Sequence, residues 1–201
     1  MNLPTPDDLD ELVRARCAAG DASGAATLVL ERHGREILEY LVAIARSEAD
    51  GADAFSLFAE HLWRGLPGFR GEAKVRTWSY AVARRALARV RRAPLRRRGA
   101  ALDDVPELAQ LEAQVRTRTL SYLRTAVKDQ VAALRDQLAP DDQALLILRI
   151  DRKLEWRDVA LAMADEDDPP AGAELTRRAA TLRKRFERIK DDLRTRVGKP
   201  R

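Results

Sequence analysis

The sequence predicts an all-α protein, two small helical domains joined by a linker, on three observations. Apolar residues recur at helical spacing almost throughout, with no strand-like alternation and no internal repeat. Turn residues interrupt that periodicity at short intervals, as in a helical bundle. A Pro/Gly-bearing stretch of mixed charge, LRRRGAALDDVPEL, separates two helical regions. The predicted boundary lies at residues 96–112, leaving domains at 1–95 and 113–201.

Taken in order, PDDLDELVRARCAA opens with acids in a first turn and places Leu9, Leu12, Val13 and Cys17 at helical spacing. Gly20 and Asp21 stop that helix. Ser23 is the expected cap of the next, from about Ala25 to Ser47, whose apolar positions include Leu30, Ile37, Leu38, Leu41 and Ile44. Glu48–Gly51 has the composition of a turn, and Asp53 that of an N-cap for AFSLFAEHLWRGL. Gly65, Pro67, Gly68 and Gly71 then break regular structure, with Phe69 and Arg70 at the loop tip.

Thr77 or a near neighbour opens the helix WSYAVARRALARVRR. At about 100° per residue, Val75, Trp78, Val82, Ala86 and Val90 share one side, and Tyr80, Arg84, Arg85, Arg91 and Arg92 spread over the other. Trp63 and Trp78 are therefore expected in the core. Pro94 ends this helix. From Glu112 onward, Leu120, Leu123, Val127, Val131, Leu134 and Leu138 mark a long amphipathic helix. Pro140, Asp141 and Asp142 restart the chain for QALLILRIDR, and WRDVALAMA follows as a short helix closed by Asp165–Asp168 and two prolines. In the last helix, Leu175, Ala179, Leu182, Phe186, Ile189 and Leu193 alternate with Arg183, Lys184, Arg185, Arg188 and Lys190.

Charge is unevenly placed. Trp63–Arg98 holds twelve Lys/Arg against one acid, Glu72, a local +11 in a chain of net +5, so the remainder sums to −6. Basicity confined to one segment is the footprint of a surface that meets a polyanion. Arginines beside a Gly-rich loop with aromatic residues suit single-stranded nucleic acid, held by a cationic groove and by π-faces.

Other chemistries find little support. One cysteine excludes an internal disulfide framework and fits a reducing compartment, and Cys17 with two histidines cannot supply a zinc site of ordinary spacing. His33 and His61 lie on helices with no nucleophile in view, so no enzyme and no cofactor is expected. Asp165–Asp168 lacks the shaped, Gly-bearing loop of a cation site. No apolar run approaches a membrane span, and MNLPTPDD has no signal-like core, so the expected location is the cytoplasm.

Several segments resemble one family, the bacterial RNA polymerase sigma factors of the extracytoplasmic-function type. WRGLPGFRGEAKVRTWSYAVARRAL is similar to that family's tryptophan, F-R-G-E loop and R-T-W-x-Y-x-x-A-R helix. ELVRARCAAGDASGAATLVLERHGREILEYLVAIAR looks like the opening of a sigma-two domain, and LAPDDQALLILRIDRKLEWRDVALAMA like the start of a sigma-four domain. LRKRFERIKDDL resembles the recognition helix of its helix-turn-helix.

The resemblance implies a sigma-two-like domain that binds the polymerase clamp helices and captures the opened −10 element. Phe69, Arg70, Lys74, Arg76, Tyr80, Arg84 and Arg85 are its candidate DNA contacts. It implies a sigma-four-like helix-turn-helix domain that binds the polymerase flap and reads the −35 element through Arg183, Lys184, Arg185 and Arg188. The implied partners are polymerase core and promoter DNA, with an anti-sigma factor as a further one that the resemblance allows.

Two departures stand out. After Asp53 the family has an apolar-x-Gln-Glu sequence facing the clamp helices, where this chain has Ala54, Phe55, Ser56 and Leu57. Asp53, Phe55, Ser56 and Leu57 are thus the candidate polymerase contacts, without the polar pair. The second is an insertion at about 165–177 inside the helix-turn-helix, where a turn is ordinarily about three or four residues. Such an insert either forms its own short helix or alters promoter reading. Two other readings follow: a stand-alone helix-turn-helix regulator, or a decoy that occupies an anti-sigma factor without recruiting polymerase.

Overall fold

The computed structural model describes residues 6–92, 102–125, 137–164 and 170–197. Among them every regular element is helical and there is no strand, so the all-α class holds. The chain divides into two compact units, Met1–Ala126 and Val127–Arg201.

The first unit is built on α2 (Ala22–Ala45), which packs against α1 (Pro6–Ala18), α3 (Glu48–Gly65), α4 (Val75–Arg92) and α5 (Pro106–Thr125). Asp21, not Ser23, caps α2: its Oδ1 accepts the Gly24 N–H at 2.8 Å. The helix ends at Arg46, whose left-handed backbone (φ 57°) returns its N–H to the Val42 carbonyl. The α2–α3 connection is shorter than the sequence suggests. Ser47 accepts from the Asp50 N–H at 3.2 Å, so α3 starts at Glu48, and Glu48–Gly51 is a helical turn. Asp53, expected as the cap, is buried inside α3. Gly51 is there for proximity: a Cβ on it would stand 2.8 Å from the Val42 Cα.

The centre of this unit is aromatic and aliphatic. Tyr40, Tyr80, Phe55 and Phe58 are fully buried, with Tyr40 and Tyr80 edge to face at 5.2 Å between centroids. α4 turns two adjacent stripes inward, Val75, Ser79, Val82 and Ala86 beside Tyr80, Ala83 and Leu87. Trp78 lies on their flank and is half-buried, as is Trp63, so neither forms the core.

The predicted boundary also shifts. Residues 106–112 are the first turns of α5, which packs on α2 and α3, so the first unit extends past the 96–112 interval. The buried stripe of α5 is Leu108, Glu112 and Thr119, with Val115 on the same face half-buried. Leu120 and Leu123, taken from the sequence as its apolar face, are only half-buried. Val127, Val131 and Leu134 lie outside the described residues, as do Pro94 and the arginines at 96–98.

In the second unit, α6 (Pro140–Leu146) passes into a wider π-type turn, Ile147–Asp151. Lys153 takes a positive φ of 56°, and the Leu154 N–H reaches back to the Leu148 carbonyl at 3.0 Å. This reversal aims α7 (Trp156–Ala162) at α8 (Gly172–Val197). Leu145, Leu148, Val159, Ala162, Leu175, Leu182, Phe186 and Ile189 form the core, with Trp156 edge to face on Phe186 at 5.3 Å. Gly172–Arg177, the described C-terminal part of the insertion, is no separate helix: it is the beginning of α8. Asp165–Pro169 lies outside the described residues.

Candidate nucleic-acid interface

The loop between α3 and α4 is fastened at both ends. On the α3 side Leu66 is buried and starts a single 3-10 turn, Leu66–Gly68, closed by the Phe69 N–H on the Leu66 carbonyl at 3.0 Å. On the α4 side Asp10 of α1 accepts the Val75 N–H at 2.8 Å, filling the place of an N-cap from another helix. Gly71 turns the loop with a φ of +74°, where a side chain would be strained. The Phe69 ring settles on Trp78, centroids 5.2 Å apart at 44°. The indole also covers Gly65, where a Cβ would come within 3.1 Å of it.

This arrangement exchanges the roles the sequence assigns to Tyr80 and Trp78. Tyr80, a candidate base contact, has 0 % of its surface exposed and packs on Tyr40. The half-buried Trp78 forms, with Phe69, the aromatic platform. Arg76 is likewise engaged inward. It forks the Glu36 carboxylate, Nε to Oε1 at 2.8 Å and Nη2 to Oε2 at 2.7 Å. Burial pushes the Glu36 carboxyl up, but hydrogen bonds from Arg76 and His33 outweigh it and bring its pKa down to about 2. His33, 2.7 Å from Glu36, is therefore part of a structural network.

The remaining cations gather on the α3–α4 surface. Trp78, Arg85, Arg89 and Arg92 follow one another at helical spacing along α4. Arg85 and Arg89, with Arg64 of α3, are close enough to His61 to act on its charge. Burial lowers the His61 pKa, and these three cations lower it further against the opposing pull of Glu60. Arg89 and Arg92 are exposed, Arg84 and Arg85 half-buried. At the loop, Lys74 is exposed and the Arg70 side chain is 73 % exposed, 3.6 Å from Glu72. Arg91 instead caps the end of α2, donating to the Ile44 carbonyl at 2.6 Å.

Of the candidate base and phosphate contacts, Phe69, Arg70, Lys74, Arg84 and Arg85 therefore lie at the surface or its edge, and Arg76 and Tyr80 face the interior. Sequence reasoning passes over His61, Arg64 and Arg89 as members of this face. The recurrence of Arg85, Arg89 and Arg92 behind Trp78 is the signal that could have revealed Arg89.

Two of the four candidate polymerase contacts are inside. Phe55 has 0 % exposure and Asp53 is buried, so neither presents a surface. Ser56 and Leu57 are half-buried. Ser56 Oγ is 2.9 Å from Glu112 Oε1 and accepts from Arg116 Nη1 at 3.1 Å, both on α5.

In the second unit Arg183, Lys184 and Arg188 are exposed on α8, and Arg177 and Lys184 continue one stripe with Arg188. Arg185 departs from the expectation. Its guanidinium is ion-paired with Asp142 of α6, which ties the two helices together. Arg149 is also structural, donating to the Leu154 carbonyl at 2.7 Å while lying 5.0 Å from the Trp156 ring centroid.

No group of acids, histidines and cysteine among the described residues could hold a metal ion, and no described helix is long and apolar enough to cross a membrane. Comparison with protein-family models, with curated proteins and with solved structures finds no match.

Proposed function

We propose that this chain is a sigma factor that directs RNA polymerase core to specific promoters, its first unit capturing the opened −10 element and its second reading the −35 element. The observation that carries the reading is the face of Phe69 and Trp78 continued by Arg85, Arg89 and Arg92, with Arg64 and Lys74 at its borders. Two aromatic rings offer stacking surface to unpaired bases, and the cations follow a sugar-phosphate backbone. Opening a duplex costs a few kcal/mol for an extruded base. A sigma factor working without ATP must recover this from contacts that exist only with open DNA, which a stacking platform supplies. The exposed Arg183, Lys184 and Arg188 of α8 suit guanine edges and phosphates in a major groove.

Reconstituted transcription tests the reading. Polymerase core with this protein is expected to yield a promoter-dependent transcript from a library of promoters, and core without it none. A library that gives no transcript above the core-alone background rejects the proposal. One observation favours a second reading, a helix-turn-helix regulator that does not recruit polymerase: α5 lies over Ser56, where the polar polymerase contact is expected. Such a regulator would bind operator duplex and fail to retain polymerase core in a pull-down.

A further inference from the structure

We infer that α5 is a displaceable helix of this same chain, seated on α2 and α3 over the Ser56 end of the expected polymerase contact, so that the free protein is self-occluded. The inference rests on the sigma-factor reading above and adds a regulatory contact to it.

The seat is built from both helices. Gly34 of α2 provides a floor where a Cβ would stand 3.0 Å from Val115 Cγ1. Ser56 of α3 provides a polar post that meets Glu112 and Arg116. Farther along, the Arg35 guanidinium lies 4.3 Å from the Tyr122 ring centroid. α5 therefore follows the groove from Ser56 to Arg35.

What α5 buries there is unlike a permanent core helix. Among the described side chains of α5 the buried ones are Leu108, which is apolar, and Glu112 and Thr119, 5 % and 3 % exposed, which are polar. A carboxylate withdrawn from water is costly unless well paired. Glu112 has the Ser56 hydroxyl and a guanidinium nitrogen 3.8 Å away, and burial still holds its pKa above the ordinary carboxylate range. The more apolar Leu120 and Leu123 are only half-buried. A helix docked through a half-polar stripe binds specifically while leaving less apolar area to hold it, which suits exchange with a second occupant. That occupant is the polymerase helix pair, for which Ser56 and Leu57 are the remaining surface residues of the expected contact.

The test is a lock and a release in the full-length chain. A Cβ at Gly34 lies 3.0 and 3.6 Å from the two Val115 methyls, so a sulfur in place of either methyl stands close enough to a cysteine at 34 to form a disulfide. Gly34→Cys with Val115→Cys, on a Cys17→Ser background, pins α5 when oxidised and frees it when reduced. Val115→Lys drives a charge against Gly34 and releases α5 without altering α2 or α3. Affinity for polymerase core is measured for each form, with circular dichroism to establish folding.

Oxidation is expected to weaken core binding at least about tenfold relative to the reduced form, and Val115→Lys to strengthen it about tenfold over wild type, as if roughly nine molecules in ten were occluded. Hydrogen exchange at the amides of α5 is expected to accelerate on core binding while α2 stays protected. Equal affinity for all forms overturns the inference and leaves the sigma-factor reading standing. Failure of every form to bind core, the released one included, removes both.

Discussion

Arg76 and Glu36 form a two-point ion pair, at 2.8 and 2.7 Å, that joins α2 to α4, the helix that carries Trp78. The guanidinium pKa is raised, first by its hydrogen bond to Glu36, against the effect of burial. The pair holds α4 in place; it does not hold a phosphate.

Acid should therefore loosen this fold through Glu36. Its folded pKa, about 2, lies below its ordinary 4.5, so the unfolded state takes up the proton first. The stabilisation is complete above about pH 4.5 and is lost as pH falls through about 2. Its size is on the order of 3 kcal/mol. Glu36→Gln should lower stability at pH 7 by that order and flatten the dependence between those limits, measured by urea unfolding across pH. An unchanged pH profile would show that the pair contributes nothing.

Trp78 and Tyr80 should separate cleanly in binding assays. Trp78→Ala removes a stacking surface and is expected to cost roughly 1–3 kcal/mol of affinity for a single-stranded oligonucleotide. Tyr80→Phe keeps the ring against Tyr40 and should leave that affinity unchanged, with a stability loss of about 1 kcal/mol. Fluorescence anisotropy with a labelled oligonucleotide measures the first effect, and thermal unfolding the second.

His61 offers a spectroscopic probe of the cationic face. Burial, then Arg89, Arg64 and Arg85, hold its pKa below 6.5. A polyanion on this face offsets those cations, so the pKa should rise when single-stranded DNA is added, and binding should tighten as pH falls through the His61 titration. Proton NMR of the imidazole with and without the oligonucleotide measures it. An unmoved titration places the DNA elsewhere.

On α8, the exposed and the paired arginines should behave differently. Arg188→Ala is expected to weaken duplex binding and reduce the salt slope by about one. Arg185→Ala breaks the ion pair with Asp142 and should appear as a lower melting temperature. Binding measured as a function of salt, alongside thermal unfolding, distinguishes them.

What the sequence discloses follows from the kind of force involved. Helical periodicity is local, so α1, α2, α4 and α8 are legible with bounds shifted by a few residues. Caps are decided by which oxygen reaches which N–H. Asp21 and Ser47 prevail over Ser23 and Asp53, and Gly51, which looks like a breaker, lies inside α3 because α2 passes so close. Tyr80 and Trp78 are two positions apart on a helix buried over a wide arc, and one aromatic pattern does not reveal which ring meets Tyr40. The docking of α5 is least legible of all. Its buried stripe contains Glu112 and Thr119, and only the positions of Ser56 and Gly34 in three dimensions account for it.

On the proposed reading, the α3–α4 face holds opened promoter strands. Permanganate reactivity of unpaired promoter thymines, with polymerase core and a promoter selected from the library, tests it most directly. Reactive thymines at the −10 element are predicted with the wild-type chain, and their loss with Trp78→Ala combined with Arg85→Ala and Arg89→Ala in a protein that still binds core. Thymines that stay unreactive with wild type, or equally reactive with the triple variant, would contradict the account.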